Sequence, residues 1–240
     1  MIVRLTKHLR ALNGGSQPHL MQGDDGNLYV VKFQGNPQGT SILINEILAA
    51  EIGTMLGLPV PAAVVVELPA ALSRTLHFET PDGRDPVLSG LHFGSRLVVT
   101  HIHGRTYDCL PQRCWNLIRN PDALVGIELF DLWVCNRDTR QMVFWRLSQE
   151  KKLQVSFIDN GHCFGGPEWK FADLGLPVSA PADPVHRATW QEWADRIATF
   201  PIRRLANFSE RIPTEWCSEK HRFELIYETL TTRQLTFKST

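Results

Sequence analysis

Residues 131–164, DLWVCNRDTRQMVFWRLSQEKKLQVSFIDNGHCF, constrain the chain more than any other stretch. An apolar helical run reaches Asn136, and Asp138 follows it, just before the strand-like run VFWRL. A second strand-like run, LQVSFID, ends at Asp159, ahead of the turn-forming pair Asn160-Gly161. The two aspartates stand 21 residues apart. A hairpin between them would bring a carboxylate from a helix-to-strand loop and one from a strand exit toward a single cleft. Such a pair suits phosphoryl transfer, in which one Asp accepts a hydroxyl proton and the other holds Mg²⁺ that bridges nucleotide phosphates. Taken singly, each Asp reads better as a turn former or cap; taken as an ordered set with the Gly turn, Lys32 and Glu46, the pair reads as functional.

The first hundred residues have a different texture. Short apolar runs are separated by turn chemistry: LTKHLRAL, then Asn13-Gly14-Gly15-Ser16, then HLMQ, the turn Gly23–Asn27, and LYVVKF. Asp-Gly between two such runs is a strong hairpin signal. In SILINEILAAEIGTML, Ile44, Ile47, Leu48, Ile52, Met55 and Leu56 recur at helical spacing, and Gly57 suits the C-terminal stop. Residues 60–68 and 93–100 read as strands. From about 105 onward, helices are expected, apart from a short pair formed by VFWRL and LQVSFID. Asn120-Pro121-Asp122 opens one helix, and two amphipathic helices follow the proline-rich stretch 166–184. The expected class is α+β, with a β-rich lobe over 1–100, a mostly helical lobe over 101–240 and a cleft between them.

Lys32 lies among Val30, Val31 and Phe33. A lysine in that setting either snorkels to water from an edge strand or is buried beside an anion. A Gly-Gly-Ser turn upstream and a helix carrying Glu46 and Glu51 downstream favour the second reading. Backbone N–H groups of a Gly-rich turn can cradle phosphate oxygens, and a Lys point charge can hold the same anion.

Composition excludes several classes. The chain has 25 Lys+Arg and 25 Asp+Glu, so no basic excess exists to drive nucleic-acid binding by bulk charge. A hydrophobic fraction of 43% argues against disorder. The five cysteines, at 109, 114, 135, 163 and 217, form no Cys-x-x-Cys pair and read as reduced thiols. The start, MIVRLTKHLRAL, lacks an apolar signal core, and the most apolar stretch, 58–72, is cut by Pro59, Pro61, Glu67 and Pro69. A cytoplasmic protein without a membrane span is expected. No His-Glu-x-x-His and no Gly-x-Ser-x-Gly is present, which weighs against zinc and α/β-hydrolases. The seven tryptophans read as core, His162 as packed or hydrogen-bonded, and Lys151-Lys152 as a solvated hairpin tip.

Taken in order, NGGSQPHL, YVVKF, INEILAAEIG with LGLPVP, NRD and FIDNGHCFG resemble the HipA-like kinase family. That family lies within the protein-kinase-like superfold. FIDNGHCFG is also similar to the Ile-Asp-Phe-Gly-His segment of phosphatidylinositol kinases. The resemblance implies that Gly14, Gly15 and Ser16 form the phosphate loop and that Lys32, held by Glu46, contacts ATP phosphates. It implies that Asp138 is the catalytic base, that Asp159 is the Mg²⁺ ligand, and that the backbone near Val98, Val99 and Thr100 binds adenine. ATP and Mg are the implied cofactors, and a protein Ser or Thr is the implied acceptor. A lipid or small-molecule acceptor is an alternative, although no basic cluster suits a membrane surface.

One departure stands out. These kinases place Asn five residues after the catalytic Asp as a second metal ligand, and here that position is Val143. Gln141 offers a carbonyl oxygen that could substitute. The competing expectation is a kinase-like module that binds nucleotide without turnover; a scaffold with neither activity is a third.

Overall fold

The computed structural model describes residues 2–100, 102–172, 180–217 and 221–238. Five strands close a barrel in the order β1 (Ile2–Ala11), β2 (His19–Gly23), β3 (Leu28–Lys32), β7 (Gly90–Arg96) and β4 (Ala63–Leu68). The β2–β3 hairpin turns at Gly23–Asn27, where Gly26 has a φ of 79° that its missing Cβ makes inexpensive. β1 and β4 pair in parallel, and the other barrel neighbours are antiparallel. Val3, Leu5, Met21, Val31, Phe33 and Val66 fill the interior by the alternation a half-buried strand requires.

Helix α1 (Ser41–Leu56) follows β3, and Gly57 ends it at a φ of 84°. It is buried on nearly every side, so its apolar residues recur more densely than an amphipathic stripe needs. Ile42, Leu43, Leu48 and Ile52 are fully buried. Each contributes about 1.5–3 kcal/mol of apolar burial. They belong to the larger core, shared with Trp133, Phe157, Phe164, Trp193, Phe208 and Phe223 from the second half of the chain.

Between β4 and β7 lie α2 (Ala70–Ser73) and a hairpin of β5 (His77–Thr80) and β6 (Gly83–Pro86). The second half contains β8 (Gly104–Tyr107), α3 (Asp122–Val134), β9 (Gln141–Leu147), β10 (Gln154–Ile158), α4 (Pro184–Ala198), α5 (Phe208–Arg211) and α6 (Arg222–Leu235). β10, β9 and β8 form a three-stranded sheet in that order. No described helix is long and apolar enough to cross a membrane.

Several expectations need correction. The strand expected over 93–100 spans Gly90–Arg96; Leu97 still donates to the Leu28 carbonyl, and 98–100 lie outside the ladder. The strand expected from 60 begins at Ala63, beyond the two prolines. Gly104–Tyr107 is a strand where helix was expected, and β5–β6 was not anticipated. Both are mostly exposed, so they lack the apolar alternation that marks a strand. Of the loop expected over 166–184, residues 173–179 lie outside those described.

Candidate active site

Lys32 ends β3 and is 7% exposed at its side chain; its ammonium meets Glu46 Oε1 at 2.5 Å and Asp159 Oδ1 at 2.7 Å. Burial alone would push the ammonium toward neutrality, but the Glu46 and Asp159 carboxylates more than offset this and raise its pKa above the ordinary lysine value. Burial conversely opposes the Asp159 carboxylate, and Lys32 overrides it, holding Asp159 below the usual carboxylate range. The other oxygen of Glu46 accepts from the Asn160 N–H at 3.0 Å, so one side chain anchors both the ammonium and the loop after β10.

That loop is fixed from several directions. Asp159 adopts a left-handed φ of 61°, a conformation Asp tolerates better than most residues. Asn45, fully buried on α1, donates to the carbonyls of Gly161 at 2.7 Å and Cys163 at 3.0 Å, while its own carbonyl accepts from Trp169 Nε1 at 2.8 Å. Arg140 pairs with Asp131 on α3 and donates to the Ile158 carbonyl and Asn160 Oδ1, at 3.0 and 2.8 Å. This charge-assisted network ties α3, β9 and the Asp159 loop together.

Asp138 comes to the same end of the hairpin. The N–H of its neighbour Arg137 donates to the His162 carbonyl at 3.0 Å, and Phe164 and Gly165 donate back to the Val134 and Cys135 carbonyls. Asp138 Oδ1 accepts from the Thr139 N–H at 2.7 Å, and the side chain is otherwise exposed. Gln141 Nε2 donates to Asp159 Oδ2 at 3.0 Å, so Gln141 lies beside Asp159, whereas Val143 pairs across the ladder with Ser156.

The Gly14–Ser16 turn joins β1 to β2. Its neighbour Gln17 exchanges two hydrogen bonds with the Glu79 backbone on β5. A Cβ on Gly15 would lie 2.7 Å from Gln38 Nε2, and that amide meets His162 Nε2 at 3.2 Å. Gln38 therefore connects the glycine turn to the Asp159 loop. Val98 and Val99 pair with no other described backbone group, while the Thr100 carbonyl accepts from the His103 and Gly104 N–H groups at 3.0 Å. Val99 lies so close to Gly104 that an added Cβ would sit 2.8 Å from its methyl.

Asn45 and Arg140, which fix the site, have no local signature in the sequence. They act through partners more than a hundred residues away or across a loop. Trp145, read as core, shares the β9 face of Gln141 by strand alternation, is half-buried and donates to Ser156 Oγ at 2.9 Å. Its period-two spacing from Gln141 is the signal that could have found it.

The fold is a mixed α/β, kinase-like one. The solved structure of the Helicobacter pylori proinflammatory kinase CtkA matches all of this chain and 94% of its own, at TM-score 0.61 and 16% identity. The Golgi casein kinase matches 98% of this chain and 70% of its own, at TM-score 0.51 and 9% identity. Its structure with Mn/ADP bound matches equally well, at TM-score 0.51. A search of curated proteins found no match. A family model described as HipA-like kinase matches residues 2–236, and the chain belongs to that family of kinases.

Proposed function

We propose that the protein is an ATP- and Mg²⁺-dependent kinase with two lobes, 1–100 and 101–240, that transfers the γ-phosphate to a hydroxyl, with a protein Ser or Thr as the acceptor. The observation that carries this reading is the buried ammonium of Lys32 held between Glu46 and Asp159, with Asp138 brought to the same loop. A lysine kept charged and fixed in place is suited to hold phosphate oxygens, because it needs no reorganisation when they arrive. The exposed oxygens of Asp138 are open to a hydroxyl, whose proton they would accept during attack. The glycine turn would cover the phosphates. The backbone of Val98 and Val99, which pairs with no other described backbone group, would bind the base, with Trp145 beneath it. Trp145 lies four residues from Gln141, about 13 Å along a strand, which matches the reach from a base to its outer phosphates.

No cluster of three or more acidic, His or Cys side chains suited to a metal occurs among the described residues. Mg²⁺ commonly keeps several waters and takes only one or two protein carboxylates beside substrate phosphates, and Asp159 fits that sparse donor set; Gln141, whose NH₂ donates to Asp159 Oδ2, would offer its Oε1 on turning its amide. Bound there with the nucleotide, the ion would neutralise charge on the phosphates. Asp159 and Gln141 would orient it, and Lys32 would fix the carboxylate.

ATP labelled at the γ-phosphate, offered with Mg²⁺ and a panel of protein, lipid and small-molecule acceptors, tests the proposal. Label should move to a protein Ser or Thr and be lost in Asp138→Ala, which should still bind nucleotide. Binding without transfer to any acceptor would favour a non-transferring module, the reading that Val143 motivates. A wild-type chain that gains no thermal stability from excess MgATP would rule out both.

A further inference from the structure

A groove of about 380 Å³ opens on the second half of the chain, lined by Tyr107, Leu110, Leu117, Arg146, Lys151 and Leu153. Its floor is apolar, and Leu117 and the neighbouring Trp115 are 40% and 46% exposed, a cost to the isolated chain that a partner would relieve. It lies on the face of β9 opposite Gln141 and Trp145, because Arg146 alternates with them, so it is separate from the Lys32–Asp159 site.

Three features describe its occupant. First, charge is concentrated here. Segments 102–119 and 144–153 hold six Arg or Lys residues against two Asp or Glu residues, in a chain of zero net charge. The Arg105, Lys151 and Lys152 side chains make no ion pair or hydrogen bond with any described residue, and Glu150 is already paired with Arg119 at 3.0 Å. Second, Arg105 and Arg146 stand directly opposite each other on β8 and β9. Like charges in that position destabilise a sheet. Arg146 turns to donate to the Glu150 carbonyl, while Arg105 has no described partner, so an anion seated beside the pair would relieve the repulsion. Third, β8 is the outer strand; on its free edge the Gly104 N–H is taken by the Thr100 carbonyl, and no described backbone group pairs with the remainder. An open edge is a template for an added strand, with backbone bonds giving affinity and alternate side chains giving specificity.

We propose that this groove docks an acidic, extended segment of a protein partner, which adds to β8 as a fourth strand. Its carboxylates would meet Arg105, Arg146 and Lys151, and an apolar side chain would seat among Leu110, Leu117 and Leu153. The open part of the β8 edge offers backbone hydrogen bonds that a peptide can complete and a nucleic acid cannot, which favours a peptide.

Fluorescence anisotropy on the full chain tests this with a fluorescein-labelled peptide, Glu-Asp-Leu-Glu-Asp-Phe-Glu-Asp. Its Lys/Arg counterpart and a short oligothymidylate serve as controls. The acidic peptide should bind at low ionic strength, weaken with salt and outcompete both controls. Arg105→Glu with Lys151→Glu should lower its affinity about tenfold or more, and Leu117→Asp should do the same. Lys152→Glu, at the exposed hairpin tip, reads the charge effect even where the double variant does not fold. Failure of the acidic peptide to bind, equal binding of the basic one, tighter binding of oligothymidylate, or unchanged affinity in Lys152→Glu together with Leu117→Asp would overturn the proposal.

Discussion

Replacing Glu46 by Gln isolates what the buried lysine requires. The amide has nearly the volume of the carboxylate, so no cavity opens and packing around α1 is preserved. What disappears is one charge and one acceptor. Glu46 serves two donors, Lys32 Nζ at 2.5 Å and the Asn160 N–H at 3.0 Å. A single amide oxygen can serve only one of them, and the NH₂ group would then face the other. The Lys32 and Glu46 side chains are 7% and 4% exposed, so water cannot take over. Removing one partner of a buried ion pair costs about 3–5 kcal/mol. Asp159 still holds the ammonium at 2.7 Å, which places the loss near the lower end, about 3 kcal/mol. For a chain of this size that corresponds to a drop in Tm of about 6–12 °C. Urea unfolding followed by circular dichroism measures it. Adding Lys32→Met to Glu46→Gln should restore part of the loss, because the uncompensated charge is gone and the more exposed Asp159 can be solvated. A loss below about 1 kcal/mol in Glu46→Gln, or a double variant less stable than the single, would refute the reasoning.

His92 gives a pH-dependent prediction. Its Nδ1 accepts from the Gln34 N–H at 3.0 Å, leaving Nε2–H to donate to the Leu88 carbonyl, and burial pushes its pKa down to about 4. The unfolded chain takes up this proton first, so stability is full above pH ~6.5 and falls toward pH ~4, by at most about 1.4 kcal/mol per pH unit. His92→Gln should flatten that slope in denaturation curves taken across this window. Asn45→Leu leaves the Gly161 and Cys163 carbonyls and the Trp169 N–H without their partner, and should cost about 2–4 kcal/mol by chemical denaturation. Gly104→Ala would place a Cβ 2.1 Å from the Arg146 carbonyl oxygen, so β8 must shift; a drop in Tm of several degrees is expected. Gln141→Ala should weaken ATP binding in Mg²⁺ by titration calorimetry while leaving metal-free nucleotide affinity unchanged.

The parts legible in the sequence are those set by local chemistry. The β2–β3 hairpin is written in its Asp-Gly turn, α1 in its helical period and Gly57, and the β9–β10 pair in two apolar runs around a polar tip. Lys32, Asp138 and Asp159 stand out because each sits at or just beyond the end of such an element, and Glu46 because it is an acid within the apolar run of α1. The less legible parts depend on distant partners. Nothing near Asn45 announces that it fastens a loop 116 residues away, and nothing near Arg140 announces its reach to Asp131, Ile158 and Asn160. β8 and the β5–β6 hairpin are solvated, so their pairing leaves no apolar alternation to read. The Pro81-Asp82-Gly83 turn between β5 and β6 was a readable cue, but the strands around it are only four residues each.

A crystal structure with a non-hydrolysable ATP analogue and Mn²⁺ tests the central claim most directly. The account predicts a triphosphate beside the Lys32 ammonium, an anomalous metal peak bonded to Asp159, and Asp138 facing the outer phosphate from the acceptor side. A nucleotide bound elsewhere, or a triphosphate whose nearest protein charges are neither Lys32 nor Asp159, would contradict it.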